Sequence, residues 1–445
     1  MQHCDTVIRA RWCIPVEPHD LVLTDHAVAV NDGRIIDILP ATEASERYEA
    51  GVVVQRPDHV LIPGLVNAHT HAAMTLLRGF ADDMPLERWL SEAIWPIENR
   101  FVSAEMVRDG TRLAIAEMLK SGCTCFSDQY FFPEIVAETA IDLHMRAMVG
   151  TPVIEFPNAW ATGAAECLSK AADLVHDPYA DHPLISTCFV PHSTATVSDE
   201  SFTALRILAD QLDTRIQIHL HESPREIASE LETNGKRPIE RLQELGLVNA
   251  SLMAVHAVHV TDQEIALFAD TGVVVTHCPR SNLKLNDGIA PVVACLDAGV
   301  TVALGTDSAA SNNVMDMLGE MRTATLLAKV RANDATALPA ARALRMATLE
   351  GAASLGLADR IGSIETGKWA DLTCVDLRHL NSQPVYDPLS QLVYTVQPHQ
   401  VSDVWIAGKH QVDNGSLTHM DIDDLLARTA EWQQRIGNEE SGMPT

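Results

Sequence analysis

Basic residues are scarce in this chain, and several features that mark other classes of protein are missing. Lysine and arginine together number 32 against 60 acidic residues, which gives a formal net charge of −28. A surface of this charge repels phosphate backbones and anionic lipids, so we expect no nucleic-acid partner and no membrane partner. Long apolar runs are also missing. VLIPGLV at 60–66 is among the longest and is far too short to cross a bilayer.

Paired cysteine motifs are absent as well. The nine cysteines form no CxxC pair, and only Cys123 and Cys125 lie close together in the sequence. An odd number of scattered cysteines is typical of reduced, mostly buried thiols in a cytosolic protein. The N-terminal MQHCDTVIRARWCIP lacks the basic-then-apolar pattern of a signal peptide. We therefore expect a cytoplasmic protein.

Both ends of the chain are rich in short β-like runs. Residues 26–39 are two β-like runs around Asn-Asp-Gly, which is a hairpin signal. Residues 367–376 and 401–415 are again short β-like runs with glycine and asparagine turns. The length of 445 residues suits one barrel of roughly 250–350 residues with a smaller accessory domain. We predict that 1–60 and 365–430 form a small β-sandwich domain. Residues 431–445 are predicted to be a C-terminal helix end and a tail.

The middle of the chain alternates between apolar runs and amphipathic segments. The runs lie at 184–191, 215–222, 252–259, 272–279 and 301–307. The amphipathic segments lie at 199–213, 224–245, 261–271 and 288–298. Strand–helix alternation over about 300 residues indicates a parallel α/β fold. We therefore predict an α/β architecture in which 61–364 is a (β/α)8 barrel of the TIM type.

Ligand-type side chains stand at the ends of these runs, where a parallel barrel carries its active site. His69 and His71 are two residues apart, so both rings can point the same way along a strand and hold one metal ion. The next pair, His219 and His221, lies beside Glu222. Spacing does not say which of the two binds metal. Either pair alone is also compatible with hydrogen-bonded core or surface histidines.

His256 and Asp307 follow at two later strand ends. One aspartate there is weak evidence, because aspartate often caps the next helix. Several histidines and one aspartate at successive strand ends are a much stronger pattern, which suits a divalent transition metal such as Zn²⁺. No thiolate accompanies them, and the cytidine-deaminase motif of His-x-Glu with Pro-Cys-x-x-Cys is missing. The sequence therefore indicates a catalytic metal site.

These motifs resemble the amidohydrolase superfamily. The matching segments are PGLVNAHTH at 63–71, HLHE at 219–222 and LGTD at 304–307. MTLLRGFADDMPLERWL at 74–90, WPIEN at 95–99 and GTDSAASNN at 305–313 are similar to the subgroup of 5-methylthioadenosine/S-adenosylhomocysteine deaminases. The resemblance runs from about residue 60 to 370 and implies hydrolytic removal of an amino group from an adenine nucleoside.

The resemblance also implies a role for each site residue. His69, His71, His219 and Asp307 would bind one divalent metal ion, most simply Zn²⁺, and Asp307 would accept a proton from the nucleophilic water. Glu222 would protonate the ring nitrogen and help the amine to leave, and His256 would hold the water or the new oxygen. His192 would contact the purine, and Glu98 would accept hydrogen bonds from the ribose hydroxyls. Without the resemblance, Glu98 reads as a helix-surface glutamate.

Two positions depart from patterns of the superfamily. Its two-metal members carry a lysine at the fourth strand end, where this chain has His192 and no lysine, so one metal ion is expected. Some relatives carry an arginine after the third strand that reaches the substrate tail. Residues 151–156 contain none, and Arg146 precedes them. The preferred 5′ substituent is therefore left open, as are contacts of His221, His277 and Arg146 with substrate.

Three readings of the function can be compared. The leading one is deamination of 5′-methylthioadenosine, S-adenosylhomocysteine or adenosine to the inosine analogue. A rival within the superfamily is a deaminase or dechlorinase of guanine, a pterin or a triazine. A non-catalytic scaffold on the same barrel would have no need to retain five chemically active side chains, so we disfavour it. We expect a small-molecule nucleoside as the ligand and, by default, a symmetric homodimer.

Overall fold

The strands of this protein form two eight-stranded sheets. The computed structural model describes the backbone of residues 1–440 and the side chains of residues 1–437. Within these residues the strands are β1 (Gln2–Cys13), β2 (Leu23–Asn31), β3 (Arg34–Pro40), β4 (Tyr48–Pro63), β5 (Leu65–Thr70), β6 (Cys123–Gln129), β7 (Arg146–Val153), β8 (Ile185–Pro191), β9 (Arg215–Leu220), β10 (Leu252–His256), β11 (Val274–His277), β12 (Val302–Leu304), β13 (Leu372–Asp376), β14 (Val401–Ile406), β15 (Lys409–Asp413) and β16 (Ser416–Leu417).

Helices alternate with the strands through the middle of the chain. In the described residues they are α1 (Ala41–Arg47), α2 (Leu86–Arg88), α3 (Trp95–Phe101), α4 (Ala104–Lys120), α5 (Pro133–Asp142), α6 (Ala164–Lys170), α7 (Asp199–Leu212), α8 (Pro224–Asn234), α9 (Pro238–Glu244), α10 (Asp262–Thr271), α11 (Pro279–Lys284), α12 (Val292–Asp297), α13 (Ala309–Asn312), α14 (Met317–Ala332), α15 (Ala340–Met346), α16 (Leu349–Ser354), α17 (Pro388–Tyr394) and α18 (Ile422–Glu440).

Strands β5 to β12 form a nearly closed barrel. They lie in the sheet in the order of the chain, and the neighbours from β7 to β12 are parallel. The first and last strands meet where the Asp307 N–H donates to the His69 carbonyl at 3.0 Å. Gly305 permits this approach, since a Cβ there would lie 3.0 Å from the His69 backbone nitrogen. The predicted (β/α)8 barrel is confirmed.

The barrel strands are apolar along their length and polar at their carboxyl ends. Strand β10 reads LMAVH, and all five of its side chains are buried, with His256 as its only polar residue. Strands buried on both faces need such continuous apolar runs. This pattern collects the polar groups at one end of the barrel, where parallel-barrel enzymes carry their active sites.

Both chain ends contribute to the second sheet. Its strand order is β16-β15-β14-β13-β4-β1-β2-β3, and it is mixed because β1 pairs parallel to β4 while the other pairs are antiparallel. Ile8, Leu61, Leu372 and Trp405 are among the residues buried in its core. The prediction that the β-rich chain ends join each other apart from the barrel is confirmed, and they do so in one mixed sheet.

The predicted hairpin at 26–39 is present. Strands β2 and β3 pair antiparallel with Asn31 opposite Arg34, which leaves a two-residue turn. Asp32 and Gly33 both have positive φ, at 48° and 73°. A two-residue turn of this kind favours Asp and Gly because both tolerate the left-handed backbone.

One predicted segment is divided in the structure. The amphipathic stretch at 224–245 forms two helices, α8 and α9, rather than one. Gly235 ends α8 in the left-handed conformation with φ of 70°, and Pro238 begins α9. A glycine C-cap followed by a proline is a typical helix stop and restart.

The described residues divide into two compact units. One comprises Met1–Ala68, Ala116–Phe126 and Asp316–His419, and the other comprises His69–Ile115, Ser127–Met315 and the chain from Met420 onward. The predicted domain bounds at 60/61 and 364/365 stay a prediction. Of the predicted C-terminal helix end and tail, residues up to 440 lie in α18, and 441–445 lie outside the described residues. Among the helices described, none is both long and apolar enough to span a bilayer.

Candidate active site

The predicted metal ligands come from three places along the barrel. His69 lies near the carboxyl end of β5, and His71 directly follows that strand. His219 is the penultimate residue of β9, and Asp307 follows β12 in the loop that meets β5. All four side chains belong to the same compact unit. Each therefore sits at the carboxyl end of a barrel strand, as the sequence predicts.

Hydrogen bonds fix the orientation of the three imidazole rings. Each Nδ1 lies within 2.9 Å of an oxygen acceptor. The acceptors are the Gln217 side chain for His69 at 2.9 Å, the Gln129 carbonyl for His71 at 2.6 Å and the His192 carbonyl for His219 at 2.8 Å. Because an oxygen acceptor requires a proton on Nδ1, the neutral rings present an unprotonated Nε2.

The three Nε2 atoms and the Asp307 carboxylate converge on one point. The Nε2 atoms of His69 and His219 are 3.3 Å apart, and Asp307 Oδ1 lies 3.4 Å from His69 Nε2 and 3.2 Å from His71 Nε2. All four ligand atoms lie within 4.8 Å of one another. Lone pairs aimed together at this spacing fit one divalent ion with a His₃Asp donor set.

The backbone and the hydrogen bonds of Asp307 fix the direction of its carboxylate. Its φ of 61° is left-handed, which is uncommon for a residue other than glycine. Its second oxygen, Oδ2, accepts hydrogen bonds from the hydroxyls of Ser281 at 2.6 Å and Ser311 at 2.9 Å. Those bonds leave Oδ1 to face the histidines.

Glu222 and His256 form a second pair beside the cluster. Glu222 Oε1 lies 3.3 Å from His256 Nε2, and the Asn282 amide donates to His256 Nδ1 at 2.9 Å. The proton of a neutral His256 ring is therefore on Nε2, facing Glu222. Burial lowers the pKa of His256 to about 3. Burial, with the nearby charges of Asp287 and Asp307, raises the pKa of Glu222 well above its usual range.

Two further predicted residues lie in the same cavity. Glu98 is on α3, and its Oε1 accepts a hydrogen bond from the Tyr130 hydroxyl at 2.7 Å. Burial raises the pKa of Glu98. The His192 ring packs edge-on against His219, and burial lowers its pKa to about 4. His192 lines the cavity, so its neutral ring can contact a bound ligand.

The cavity has a volume of about 650 Å³, within the usual range for small-molecule sites. Its walls include the aromatic residues Trp89, Trp95 and Phe156. The sequence-predicted residues that line it are His71, Glu98, His192, His219, Glu222, His256 and Asp307. His69 is fully buried behind them. A cavity of this size and composition suits a flat heteroaromatic ligand with a polar substituent.

Comparison with known proteins identifies the family. Residues 60–410 match the model of the amidohydrolase family. The chain belongs to the amidohydrolase family. A protein of Teredinibacter turnerae named 5-methylthioadenosine/S-adenosylhomocysteine deaminase is 45% identical over 97% of this chain and 98% of that protein. A protein of the same name from Saccharophagus degradans is 41% identical over 97% of each chain.

Solved structures agree with this assignment. The zinc-bound crystal structure of an adenosine deaminase from Xanthomonas campestris has a TM-score of 0.97 and 51% identity, covering 98% of this chain and 99% of that one. A zinc complex of an atrazine chlorohydrolase from Arthrobacter aurescens has a TM-score of 0.89 at 24% identity, covering 96% and 99%, which shows the shared fold. The predicted superfamily, deaminase subgroup and divalent-metal cofactor are confirmed. This amidohydrolase is a metal-dependent hydrolase of C–N bonds.

The residues that the sequence left open lie outside this cavity. The His221 ring is buried, with Nε2 accepting from the Ile239 N–H at 3.2 Å and Nδ1 3.1 Å from the Arg237 guanidinium. His221 is therefore a structural histidine of the amidohydrolase barrel, and His219 is the one that joins the cluster. Arg146 is buried and donates to the Pro183 carbonyl, while His277 is buried at the end of β11.

Several supporting residues were missed by the sequence analysis. Gln217 orients His69, Ser281 and Ser311 hold Asp307, and Tyr130 contacts Glu98. Gln217 had a usable signal, since it lies two residues before His219 and must share its side of β9. Ser311 lies four residues after Asp307, but a nearby serine is too common to be a signal. The Ser281 and Tyr130 contacts join residues 26 and 32 positions apart, and no spacing rule predicts them.

Proposed function

We propose that this amidohydrolase deaminates adenine nucleosides, converting 5′-methylthioadenosine, S-adenosylhomocysteine or adenosine to the inosine analogue and ammonia. The observation that carries the proposal is that three histidine Nε2 atoms and one carboxylate converge beside a buried glutamic acid, Glu222, at the wall of one cavity. The names of the similar proteins from Teredinibacter turnerae and Xanthomonas campestris support the substrate class.

His69, His71, His219 and Asp307 would hold the metal ion. A divalent ion in this donor set supplies Lewis acidity, which lets water act as the nucleophile near neutral pH. Asp307 keeps Oδ1 toward the histidines, where it can accept a proton from that water. His256 presents the Nε2 proton and can hold the water or the new oxygen by donating a hydrogen bond.

Glu222 acts as the general acid. Its raised pKa keeps the carboxyl group protonated, so it can donate to the ring nitrogen next to the attacked carbon. The resulting carboxylate can then take up a proton that the attacking water has released and pass it to the departing amino group, because ammonia leaves far more readily than an amide ion. The second proton of that water restores the acid. Expulsion of chloride needs no such proton, which favours an amine over a halide as the leaving group.

Glu98 and His192 would bind the rest of the substrate. Tyr130 fixes one oxygen of Glu98, so the carboxyl group is oriented toward the cavity, where it can accept hydrogen bonds from vicinal ribose hydroxyls. His192 also lines the cavity and can contact the purine through its neutral ring. A bare base, a pterin or a triazine has no ribose, and nothing in the cavity favours one of them over a nucleoside.

We also propose a cytoplasmic homodimer as the working form. The nine cysteines are all buried and free, which suits a reducing compartment. A symmetric dimer is the commonest closed assembly of soluble enzymes.

Replacement of the general acid tests the proposal. Glu222→Gln should lower kcat for ammonia release from 5′-methylthioadenosine by about 10²–10⁴-fold, the range that general acid catalysis supplies. Its zinc content should equal that of the wild type, because Glu222 is not in the ligand cluster. Glu232→Gln, which changes an exposed carboxylate on α8, is the matched control and should keep full activity. A Glu222→Gln enzyme with wild-type kcat would refute the assigned role.

A further inference from the structure

The carboxylate of Glu226 departs from the usual pattern of a helix start. It lies in the first turn of α8, whose N-cap Ser223 accepts from the Glu226 N–H. In a capping box, the glutamate three residues after the cap bonds back to the N–H of the cap residue itself. Glu226 reaches further, accepting from the N–H of Glu222 at 2.7 Å and from that of His221 at 3.1 Å.

Those two N–H groups belong to a strained turn. His221 has a φ of 55°, in the left-handed region that a bulky residue rarely adopts. This turn takes the chain out of β9 and directs Glu222 toward His256. Successive N–H groups next to a left-handed residue form a concave site that binds an anionic oxygen. The two oxygens of Glu226 occupy this site.

The other contacts of the turn hold His221 rather than Glu222. The His221 ring accepts from the Ile239 N–H, and the His221 carbonyl accepts from the His259 N–H at 3.0 Å. Glu226 binds the backbone of Glu222 itself. Loss of its hydrogen bonds would leave an N–H of the catalytic loop without its acceptor and would free the strained turn to relax.

We propose that Glu226 is a positioning residue that holds the Glu222 carboxyl group in place for proton transfer. The proposal rests on the general-acid role proposed for Glu222. Both oxygens of Glu226 accept from backbone N–H groups, so the side chain fixes the loop. Its negative charge also adds to burial and to the charges of Asp287 and Asp307 in raising the pKa of Glu222, so the variants are compared on the acidic plateau of the kcat profile. A displacement of about 1 Å at a reacting group is enough to cost around a hundredfold in rate.

Glu226→Gln removes one of the two acceptors while keeping the size of the side chain. The amide has one carbonyl oxygen, and its NH₂ group would face the second N–H donor. We expect kcat for 5′-methylthioadenosine to fall by about 10–100-fold, with KM within about twofold of the wild type and unchanged zinc content. Glu226→Asp keeps both acceptors on a shorter stem and should recover part of the lost kcat.

Glu230→Gln is the matched control. Glu230 is buried one turn further along α8, where it accepts from Arg241 at 3.1 Å and from Asn234 at 2.7 Å. This variant should lower thermal stability while leaving kcat near that of the wild type. If Glu226→Gln fails to fold, the recovery of kcat by Glu226→Asp relative to Glu226→Ala provides the same comparison.

The double variant separates positioning from an independent role. If Glu226 works through Glu222, adding Glu226→Gln to Glu222→Gln should cause no further loss of kcat. The proposal would be overturned if the loss of kcat in the double variant equalled the product of the two single losses. A wild-type kcat in Glu226→Gln, or a rise in KM without a fall in kcat, would also overturn it. A wild-type kcat in Glu222→Gln would instead refute the general acid itself, so the two failures are distinguishable.

Discussion

Each of the three clustered histidines hydrogen-bonds through Nδ1, and this detail decides which ring nitrogen faces the cluster. Two-residue spacing on a strand predicted that His69 and His71 lie together, and the structure places them so. Spacing alone could not choose between His219 and His221, and the resemblance indicated His219. The left-handed turn at His221, which turns that ring toward Arg237, follows from contacts with distant segments.

Gln217 is expected to control metal affinity through His69. Gln217→Ala removes the acceptor that fixes the ring, so the affinity for Zn²⁺ should fall by about 10–100-fold. Competition with a chromogenic chelator measures this change. Gln211→Ala, at an exposed position on α7, should leave the affinity unchanged. If both variants bound Zn²⁺ with equal affinity, the hydrogen bond to Gln217 would not be what orients the His69 ring.

Glu98 is expected to contribute to binding of the ribose. Glu98→Ala should raise KM for adenosine by about tenfold, the loss of one to two hydrogen bonds to a charged group. 2′,3′-Dideoxyadenosine lacks both hydroxyls, so its KM should be the same for variant and wild type. An equal rise in KM for the two nucleosides would assign Glu98 to another part of the substrate.

The pH dependence of kcat should report the pKa of Glu222. A raised pKa keeps the acid protonated at neutral pH, and kcat should fall as the pH rises through that value. Asp287→Asn removes a negative charge that helps to raise this pKa. The alkaline limb of the kcat profile should therefore move to lower pH. An unchanged limb in this variant would mean that another group limits the alkaline side.

At the scale of elements, strand ends were predictable and helix details were less so. Apolar runs ending in histidine gave β9 and β10 closely, because a strand buried on both faces needs a continuous apolar sequence. The split between α8 and α9 was missed, although Gly235 and Pro238 signal it. The hydrogen bonds of Glu226 to the N–H groups of His221 and Glu222 could not be predicted. The Ser-Pro-Arg-Glu spacing predicts an ordinary capping box, in which the glutamate would bond to the N–H of Ser223.

A buried ion pair links two elements of the β domain. Arg56 on β4 binds both oxygens of Asp403 on β14, at 2.6 and 2.5 Å, and the Asp403 side chain is fully buried. Asp403→Ala leaves the guanidinium of Arg56 with only a 3.7 Å ion-pair contact to the exposed Asp413, so the free energy of unfolding should fall by about 3–5 kcal/mol. Urea denaturation measures it. The exposed Asp413→Ala should cost far less, and equal losses would contradict this account.

At the scale of the whole molecule, closure of the barrel makes the site. Asp307 reaches His69 because the last strand returns to the first, so residues from distant parts of the sequence share one cluster. Strand–helix alternation predicted this closure. The pairing of both chain ends into one sheet was predicted from the short β-like runs and turn residues that both ends contain. The length of each loop over the cavity could not be inferred, since no period or spacing rule governs it.

The most direct test of the central claim is ammonia release from a panel of six compounds by the zinc-loaded protein. The panel is 5′-methylthioadenosine, S-adenosylhomocysteine, adenosine, adenine, guanine and a chlorotriazine. We predict that the protein deaminates the adenine nucleosides. Its kcat/KM for the free bases, and for release of chloride from the triazine, should be far lower than its kcat/KM for these nucleosides. Turnover confined to the free bases or the triazine would contradict the account, because Glu98 and its ribose contact would then have no part in the reaction.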